Sequence, residues 1–139
     1  MHINKDMDYT LEIRKRSPFV NLLGLSVQKL EEGCCRTAME IKKEFLNKHN
    51  IVHGGVIYSM ADISMGLAVY FTLEEEEETT TIEIKINYLK QAKSKNLLCE
   101  ARIIQKGKNI AVLEAEIKEN SYMIAKAQGT FSISKGKGK

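Results

Sequence analysis

The feature that most constrains this chain is a single long apolar segment at residues 56–71. Twelve of its sixteen residues are apolar, and none of them is lysine or arginine. Strands are usually about three to ten residues long, whereas a membrane-spanning helix needs about 20 residues. The segment therefore predicts a helix that is apolar around its whole circumference, and such a helix is expected inside a protein. Gly54 and Gly55 mark its beginning.

The rest of the chain consists of short segments in which apolar and polar residues alternate, as expected of strands with one buried face. Short connections between consecutive segments imply antiparallel hairpins. We also predict an amphipathic helix at residues 6–16 that ends before Ser17 and Pro18, because proline disfavours helix at the preceding residue. The predicted strands cover residues 25–30, 34–44, 82–88, 97–103, 110–118 and 122–133.

These elements predict one α+β domain over residues 1–139. A single apolar helix has to be covered, and an antiparallel sheet of five or six strands offers one apolar face. Wrapping the sheet around the helix satisfies both requirements, and this arrangement is the hotdog fold. An N-terminal helical segment (residues 1–17) and a flexible basic tail (residues 134–139) flank the sheet, and five consecutive glutamates at residues 74–78 predict a solvated loop.

Composition excludes several classes of protein. Apolar residues make up 43% of the 139 residues and charged residues 28%, a balance typical of a globular domain. The net charge of +3 is small and no long basic stretch is present, which argues against nucleic-acid binding. A charged N-terminus and three cysteines without a Cys-x-x-Cys pair favour a cytoplasmic protein with no membrane anchor, no metal and no redox cofactor.

Two features of the apolar segment point to chemistry. Glycines at a helix N-terminus leave bare N–H groups that bind an anion or a polarised carbonyl oxygen, although such pairs also serve as plain helix starts. Asp62 lies among apolar residues, with no lysine or arginine one helical turn away. Burying an ionised carboxylate in such surroundings costs free energy. Asp62 is therefore expected either to form a salt bridge with another element or to have a function.

The spacing of these two features has a geometric consequence. Gly54 and Asp62 are eight residues apart, which is about 12 Å along a helix. Both cannot lie within about 3 Å of the atoms of one reacting group. If both are catalytic, each site combines Gly54 of one subunit with Asp62 of another. The functional hypothesis therefore predicts an obligate homodimer with two sites at its interface.

The pattern around these residues resembles a known family. His53 precedes the two glycines, Asp62 follows nine positions after His53, and Asn47 lies six positions before it. Together with the segments at residues 81–89, 106–108 and 129–131, this order resembles the acyl-CoA thioesterases of the hotdog superfamily. The similarity is greatest to the PaaI-like branch of phenylacetic acid degradation, and it covers about residues 20–133.

The resemblance implies an acyl-CoA thioesterase, a hydrolase that acts on an aromatic or medium-chain acyl group. In such an enzyme the Gly54 N–H polarises the thioester carbonyl, while Asn47 and His53 hold that carbonyl and the water. Asp62 acts as general base or as nucleophile, and Thr81 assists it. Coenzyme A is part of the substrate, and the relatives are dimers or tetramers of identical subunits.

Further residues are expected to bind the substrate. Lysines act as point charges for phosphate, so Lys90 and the basic turn of Lys106, Gly107 and Lys108 are candidates for contacts with coenzyme A. Gly55 is expected to bind substrate at the helix start. The acyl pocket is expected to include the helix residues Ile57, Tyr58, Ala61 and Met65.

The chain departs from the family pattern at two positions. Asn50 stands where glycine is frequent, and asparagine tolerates the left-handed backbone that the turn requires. Lys90 and Gln91 replace an Arg-Pro pair, which weakens the expectation of a coenzyme A contact there.

Three alternatives remain open at this point. A hotdog dehydratase or hydratase would place its histidine and acid differently and carry a His-Phe-Pro loop, which is absent. A non-catalytic acyl-CoA binding module would bind without turnover. A structural subunit would use Asp62 only as a paired core residue.

Overall fold

The computed structural model describes residues 8–93 and 95–136. Two short helices come first, followed by two strands, a 3-10 turn at Lys43–Phe45, the long helix and four further strands. The helices are α1 (Tyr9–Arg16), α2 (Pro18–Leu23) and α3 (Gly54–Tyr70), and the strands are β1 (Ser26–Glu31), β2 (Cys34–Glu40), β3 (Glu77–Tyr88), β4 (Asn96–Lys106), β5 (Ile110–Glu119) and β6 (Tyr122–Lys135).

All six strands belong to one antiparallel sheet in the order β1-β2-β4-β5-β6-β3. Helix α3 contacts every strand of this sheet. The predicted architecture, a sheet of five or six strands around one apolar helix, is therefore confirmed. At 17 residues α3 is the longest described helix, and none of the described helices is long and apolar enough to cross a bilayer.

Helix α3 is not buried around its whole circumference. One side is wholly enclosed by the sheet and contains Met60, Ala61, Ser64, Met65, Ala68 and Val69. The opposite stripe stays partly exposed in the single chain and contains Tyr58, Asp62, Ile63, Gly66, Leu67 and Tyr70. The prediction of an all-round buried helix is therefore wrong for one chain taken alone.

The N-terminal region contains one more helix than predicted. Helix α1 ends at Arg16, before Ser17 as expected, and residues 6–7 lie outside the described residues. Pro18 then begins α2, because the missing N–H and fixed φ of proline suit the first helical position. The Ser17 hydroxyl caps α2 by accepting from the Val20 N–H at 3.3 Å, and Gly24 ends it in the left-handed conformation (φ 69°).

Three predicted boundaries change. Strand β2 ends at Glu40, because the chain then turns into the 3-10 segment. Strand β3 begins at Glu77, so the last two glutamates of the acidic run belong to the sheet. Strand β6 continues through Lys135, since its last residues pair with the start of β3. The predicted flexible tail therefore does not begin at residue 134, and residues 137–139 lie outside the described residues.

Strand β3 contains a bulge that changes which side chains face α3. Its pairing with β6 shifts between Thr81 and Glu83, which leaves Ile82 as the extra residue. Before the bulge Thr79 and Thr81 lie beside α3, whereas after it Ile84 packs against the core. Ile82 itself is 55% exposed. The predicted regular alternation through residues 82–88 is therefore wrong at Ile82.

A polar pair ties α3 to the sheet inside the core. The hydroxyls of Thr37 on β2 and Ser64 on α3 are 2.7 Å apart, and both side chains are fully buried. Ser64 also donates to the Met60 carbonyl at 2.7 Å. Burial raises the pKa of the adjacent Cys99 thiol to about 12, so that it stays protonated. All three cysteines are free, as predicted.

This pair gives a test of the packing. Ser64→Ala is expected to lower the free energy of unfolding by about 1–3 kcal/mol, because it leaves the buried Thr37 hydroxyl without this partner. Thr37→Val is expected to cost less, since Ser64 keeps its bond to the Met60 carbonyl. Urea unfolding of both variants and of the double variant measures the coupling. If the loss of unfolding free energy in the double variant equals the sum of the two single losses, the pairing of Thr37 with Ser64 is contradicted.

Candidate functional site

The loop before α3 is folded by one asparagine. The Asn47 Oδ1 accepts hydrogen bonds from the N–H groups of His49 at 2.9 Å and Ile51 at 3.3 Å. Asn50 takes the left-handed conformation with φ 59°, which confirms that asparagine substitutes for glycine in this turn. With Oδ1 fixed by two backbone donors, the amide nitrogen of Asn47 is the part of the side chain left to act on a ligand.

His53 caps the beginning of α3. Its Nδ1 accepts a hydrogen bond from the Gly55 N–H at 3.1 Å, and the side chain is exposed. Helix starts leave such N–H groups without partners inside the helix, and an N-cap side chain satisfies one of them. Capping Gly55 leaves the preceding N–H, that of Gly54, free for another acceptor.

Gly54 lies where its backbone meets an aromatic ring. The Tyr88 hydroxyl donates to the Gly54 carbonyl at 2.9 Å, and a side chain at Gly54 would approach the Tyr88 ring to 3.2 Å. Partial burial, and after it the neighbouring Tyr58, raise the pKa of Tyr88, which keeps this hydroxyl protonated. Within residues 8–93 and 95–136 the Gly54 N–H has no hydrogen-bond acceptor.

Asn47, Gly54 and Tyr88 belong to a groove at the N-terminal end of α3, which we call the Gly54 groove. It has a volume of about 340 Å³. Its lining comprises Asn47, His49, Ile51, Val52, Gly54, Ile57, Tyr88, Leu89, Lys90, Gln91 and Ala92. The groove thus offers a free backbone N–H at a helix N-terminus beside an oriented amide, an arrangement suited to a negatively charged oxygen.

Asp62 lies half-buried near the middle of α3 and has a specific partner. Its Oδ1 accepts a hydrogen bond from the Thr81 hydroxyl at 2.7 Å. In the part of the chain that the structure describes, no cationic side chain pairs with Asp62. The structure therefore brings Asp62 and Thr81 together, and the described residues supply no salt bridge to account for the carboxylate.

Asp62 opens onto a second groove, which we call the Asp62 groove. Its volume is about 450 Å³. It is lined by Ile13, Ser17, Val20, Asp62, Ile63, Gly66, Leu67, Tyr70, Thr79, Thr81 and Phe131. The Thr79 hydroxyl is buried and has no hydrogen-bond partner among the residues that the structure describes. Mostly apolar walls around one carboxylate and its hydroxyl partner are typical of a small-molecule site.

The two grooves share no lining residue. Gly54 and Asp62 remain separated by eight residues of continuous helix, about 12 Å along the axis. The predicted catalytic residues therefore fall into two sets in one chain. One set contains Asn47 and Gly54, and the other contains Asp62 and Thr81. His53 lines neither groove and acts at the helix start through its cap on Gly55.

The predicted substrate-binding residues are dispersed. Lys90 lines the Gly54 groove, and its Nζ lies 3.5 Å from the ring centre of Tyr122. Lys106 donates to the Thr72 carbonyl at 3.0 Å, at the C-terminal end of α3 and away from Gly54. The Gly107 N–H closes the turn by donating to the Ile110 carbonyl at 2.8 Å, and Lys108 is exposed beside it.

The helix residues predicted to line the acyl pocket are only partly suited to it. Ile57 lines the Gly54 groove, Tyr58 is half-exposed, and Gly55 is exposed at the helix start. Ala61 and Met65 are fully buried against the sheet, so the prediction that they line an open pocket is wrong.

Two residues of the grooves, Tyr88 and Thr79, were not predicted from the sequence. Tyr88 completes the regular pattern of its strand, and its contact with Gly54 depends on how β3 lies along α3. Thr79 is one of three adjacent threonines, and the bulge decides that it faces the Asp62 groove.

Comparison with known families identifies the family of the chain. The sequence matches the model of the Thioesterase superfamily over residues 49–122, which is more than half of the chain. The chain belongs to the thioesterase superfamily. It is therefore an enzyme, a thioester hydrolase with the hotdog fold.

Relatives and solved structures extend this result. A Saccharolobus solfataricus protein, classed only provisionally as an esterase, is 33% identical over 123 residues, which are 88% of this chain and 81% of that protein. The medium/long-chain acyl-CoA thioesterase YigI of Salmonella typhimurium is 25% identical over 132 residues, 84% of this chain and 85% of YigI. The Escherichia coli PaaI protein shares the fold with a TM-score of 0.83 at 21% identity, over 91% of each chain.

The cap at α3 is testable by stability alone. His53→Ala is expected to lower the free energy of unfolding by about 1 kcal/mol, because the Gly55 N–H loses its acceptor. His53→Asn is the matched control, since asparagine is a good N-cap and should retain most of the stability. Thermal or urea unfolding of both variants measures the difference. Equal stabilities of the alanine and asparagine variants would contradict a capping role.

Proposed function

We propose that this thioesterase hydrolyses acyl-CoA thioesters with an aromatic or medium-chain acyl group, at two sites shared between the subunits of a homodimer. The observation that carries the proposal is the Asp62 carboxylate. It has no cationic partner among the described residues, it is oriented by Thr81, and it faces an open apolar groove. A carboxylate kept under these conditions is a candidate for proton transfer or nucleophilic attack.

Asp62 would activate the attacking group. Thr81 occupies Oδ1 and thereby fixes the rotation of the carboxylate, which leaves Oδ2 for a water molecule. Asp62 then takes a proton from that water as it attacks the thioester carbon, or it attacks the carbon itself. General-base assistance contributes typically about 10²- to 10⁴-fold to a rate.

Gly54 would stabilise the oxygen on which negative charge develops. Its N–H has no acceptor among the described residues, it lies at the N-terminus of α3, and the helix dipole favours an anion there. The Asn47 amide nitrogen is the second donor, oriented because Oδ1 is held by two backbone N–H groups. His53 supports this arrangement by capping the neighbouring N–H of Gly55.

The edge of the sheet supports the proposed dimer. Strand β3 has twelve residues, and its outer edge has no partner strand within the described chain. Ile82, Tyr88 and Leu89 are exposed large apolar side chains on or next to this edge. A long, unpaired edge with apolar side chains is a surface that pairs readily with another strand.

Pairing two β3 edges would also assemble the site. In antiparallel pairing about a two-fold axis between Ile84 and Lys85, Thr81 of one subunit lies opposite the partner's Tyr88. Thr81 binds Asp62, and Tyr88 binds Gly54. The same pairing therefore brings the Asp62 groove of each subunit towards the Gly54 groove of the other.

The lysines have different places in this proposal. Lys90 lines the Gly54 groove and is positioned to contact the coenzyme A phosphates of a thioester bound there. The turn of Lys106, Gly107 and Lys108 lies at the opposite end of α3, so it would reach that coenzyme A only from a partner subunit. The cytoplasmic location, the lack of a cofactor, and the absence of nucleic-acid or membrane partners stay predictions from composition.

Hydrolysis depends on Asp62 in this proposal. Asp62→Asn keeps an acceptor for the Thr81 hydroxyl but removes the base, so kcat should fall by about 10²- to 10⁴-fold with little change in stability. Release of free coenzyme A from phenylacetyl-, benzoyl- and octanoyl-CoA measures this effect. Glu75→Gln, which removes an exposed carboxylate from the turn after α3, is the control and should retain full activity. Tight acyl-CoA binding without turnover by the wild type would instead indicate a binding module.

The shared site is tested by mixing two inactive variants. Gly54→Pro removes the N–H at a helix position that tolerates proline, and the extended His53 (φ −62°, ψ 135°) is compatible with a following proline. Gly54→Ala, which adds a side chain but keeps the N–H, is its control. If Gly54→Pro and Asp62→Asn chains are refolded together, random pairing should restore about a quarter of the wild-type sites. No recovery in the mixture would indicate that each site lies within one subunit.

A further inference from the structure

Gly66 is unexplained by the packing of the chain. It lies inside α3, where glycine is less favourable than alanine because of its backbone entropy. A side-chain carbon at Gly66 would meet the Phe131 ring at 3.6 Å, which is an ordinary contact. At Gly129, by contrast, such a carbon would lie 3.1 Å from Met65 and from Phe131. Packing therefore accounts for Gly129 but not for Gly66.

The space above Gly66 belongs to a longer channel. Gly66 lines the Asp62 groove, and that groove continues into a second one of about 270 Å³ along α1. Ile13, Ser17, Leu67 and Tyr70 line both of them. The two grooves therefore adjoin one another and together form an open channel between α3 and the N-terminal helices.

The walls of this channel are suited to hydrocarbon. From Asp62 onward the side chains are mostly aliphatic or aromatic, with Ile63, Leu67 and Ile13 in the middle. Polar groups return at the far end, where Arg16 donates to the Tyr70 hydroxyl at 3.3 Å and pairs with Glu12 at 3.0 Å. These groups bind one another, so the apolar lining gives way at the far end to exposed, paired polar side chains that offer no free counter-charge to a ligand.

We propose that the channel binds the acyl chain of the substrate as a linear hydrocarbon that begins at Asp62, crosses Gly66 and ends at Tyr70. Gly66 is then a specificity-determining residue, since its missing side chain gives the chain room to pass. This inference rests on the proposed thioesterase function and selects a linear medium-length acyl group over an aromatic one.

The length of the channel sets the length of the acyl group. Asp62 and Tyr70 are eight residues apart, which is about 12 Å along the helix. An extended hydrocarbon advances about 1.3 Å per carbon, as follows from a C–C bond of about 1.5 Å at tetrahedral angles. The channel therefore accommodates about eight to ten carbons. A phenylacetyl group is shorter and would leave the part beside Arg16 unfilled.

The experiment is a chain-length series of saturated acyl-CoAs from butanoyl to hexadecanoyl, with kcat/KM measured for wild type and variants. In the wild type kcat/KM should rise about fourfold per methylene up to octanoyl or decanoyl and then stop rising. Gly66→Ala should lower the ratio of decanoyl to butanoyl kcat/KM about tenfold, because the methyl group narrows the channel. Its thermal midpoint should not fall, since alanine favours the helix.

Two variants on α1 serve as a matched pair. Ile13→Ala removes a wall of the channel and should shift the preferred length, whereas Leu11→Ala should leave the profile unchanged. Leu11 is 56% exposed on the same helix and lines neither groove. Equal profiles for wild type and Gly66→Ala would overturn the inference, as would a Gly66→Ala variant whose only defect is weaker dimerisation.

Binding to Asp62→Asn variants separates this inference from the proposed function. Dissociation constants for the same series, with and without Gly66→Ala, report the channel even when nothing is hydrolysed. Length-dependent binding that Gly66→Ala weakens, together with no turnover by the protein that retains Asp62, would support the channel and overturn the thioesterase mechanism. If turnover and binding are both independent of acyl length, the proposed thioesterase function stands and the proposed acyl channel is overturned.

Discussion

The close packing of α3 against the sheet is the constraint on which the rest of the structure depends. Small side chains make this approach possible on both surfaces. Ala61 and Ala68 on the helix are buried, as are the alanines that line the inner face of the sheet, at positions 101, 111, 115, 125 and 127. Close packing of this kind is what fixes one rotation and one height of a helix on a sheet. The Thr37–Ser64 hydrogen bond adds a directional contact to the same interface.

A fixed helix rotation divides α3 into two functional sides. The side against the sheet supplies the core, and the uncovered stripe carries the α3 residues of the Asp62 groove. Asp62 is tolerated in a mostly apolar helix because it lies on this stripe, half-exposed and hydrogen-bonded to Thr81. A carboxylate one position earlier, at Ala61, would face the sheet with no water, a cost of several kcal/mol in such an environment.

The fold was largely predictable because its main signals are local. The apolar run predicted the start of α3 to within two residues. The alternation of apolar and polar residues predicted all six strands, although several strands begin or end at residues other than those predicted. Helix α2 was not predicted, because Pro18 was interpreted only as the end of a helix and not also as the beginning of the next. The uncovered stripe of α3 could not be predicted either. Both sides of this helix are apolar in sequence, and that pattern does not show which side packs against the sheet of the same chain.

The candidate site was predictable in part. The separation of Gly54 from Asp62 follows from the helical rise alone, and the structure retains it as two grooves. The contact between Thr81 and Asp62 was expected only from the family resemblance, because a regular alternation places Thr81 on the face opposite to Ile84. The contact of Lys106 with Thr72 depends on where a distant hairpin meets the end of α3, which no local pattern encodes.

The bulge at Ile82 also limits how this segment can vary in length. The threonine half of β3 serves the Asp62 groove, and the isoleucine half serves the core. One extra residue between the halves lets both face the same helix. Deleting one residue at the bulge would turn the side chains of one half of β3 away from α3. The chain would then keep either the core contacts of the isoleucine half or the Thr81 hydroxyl beside Asp62, but not both. A one-residue deletion at the bulge is therefore expected to damage the protein more than any substitution of Ile82.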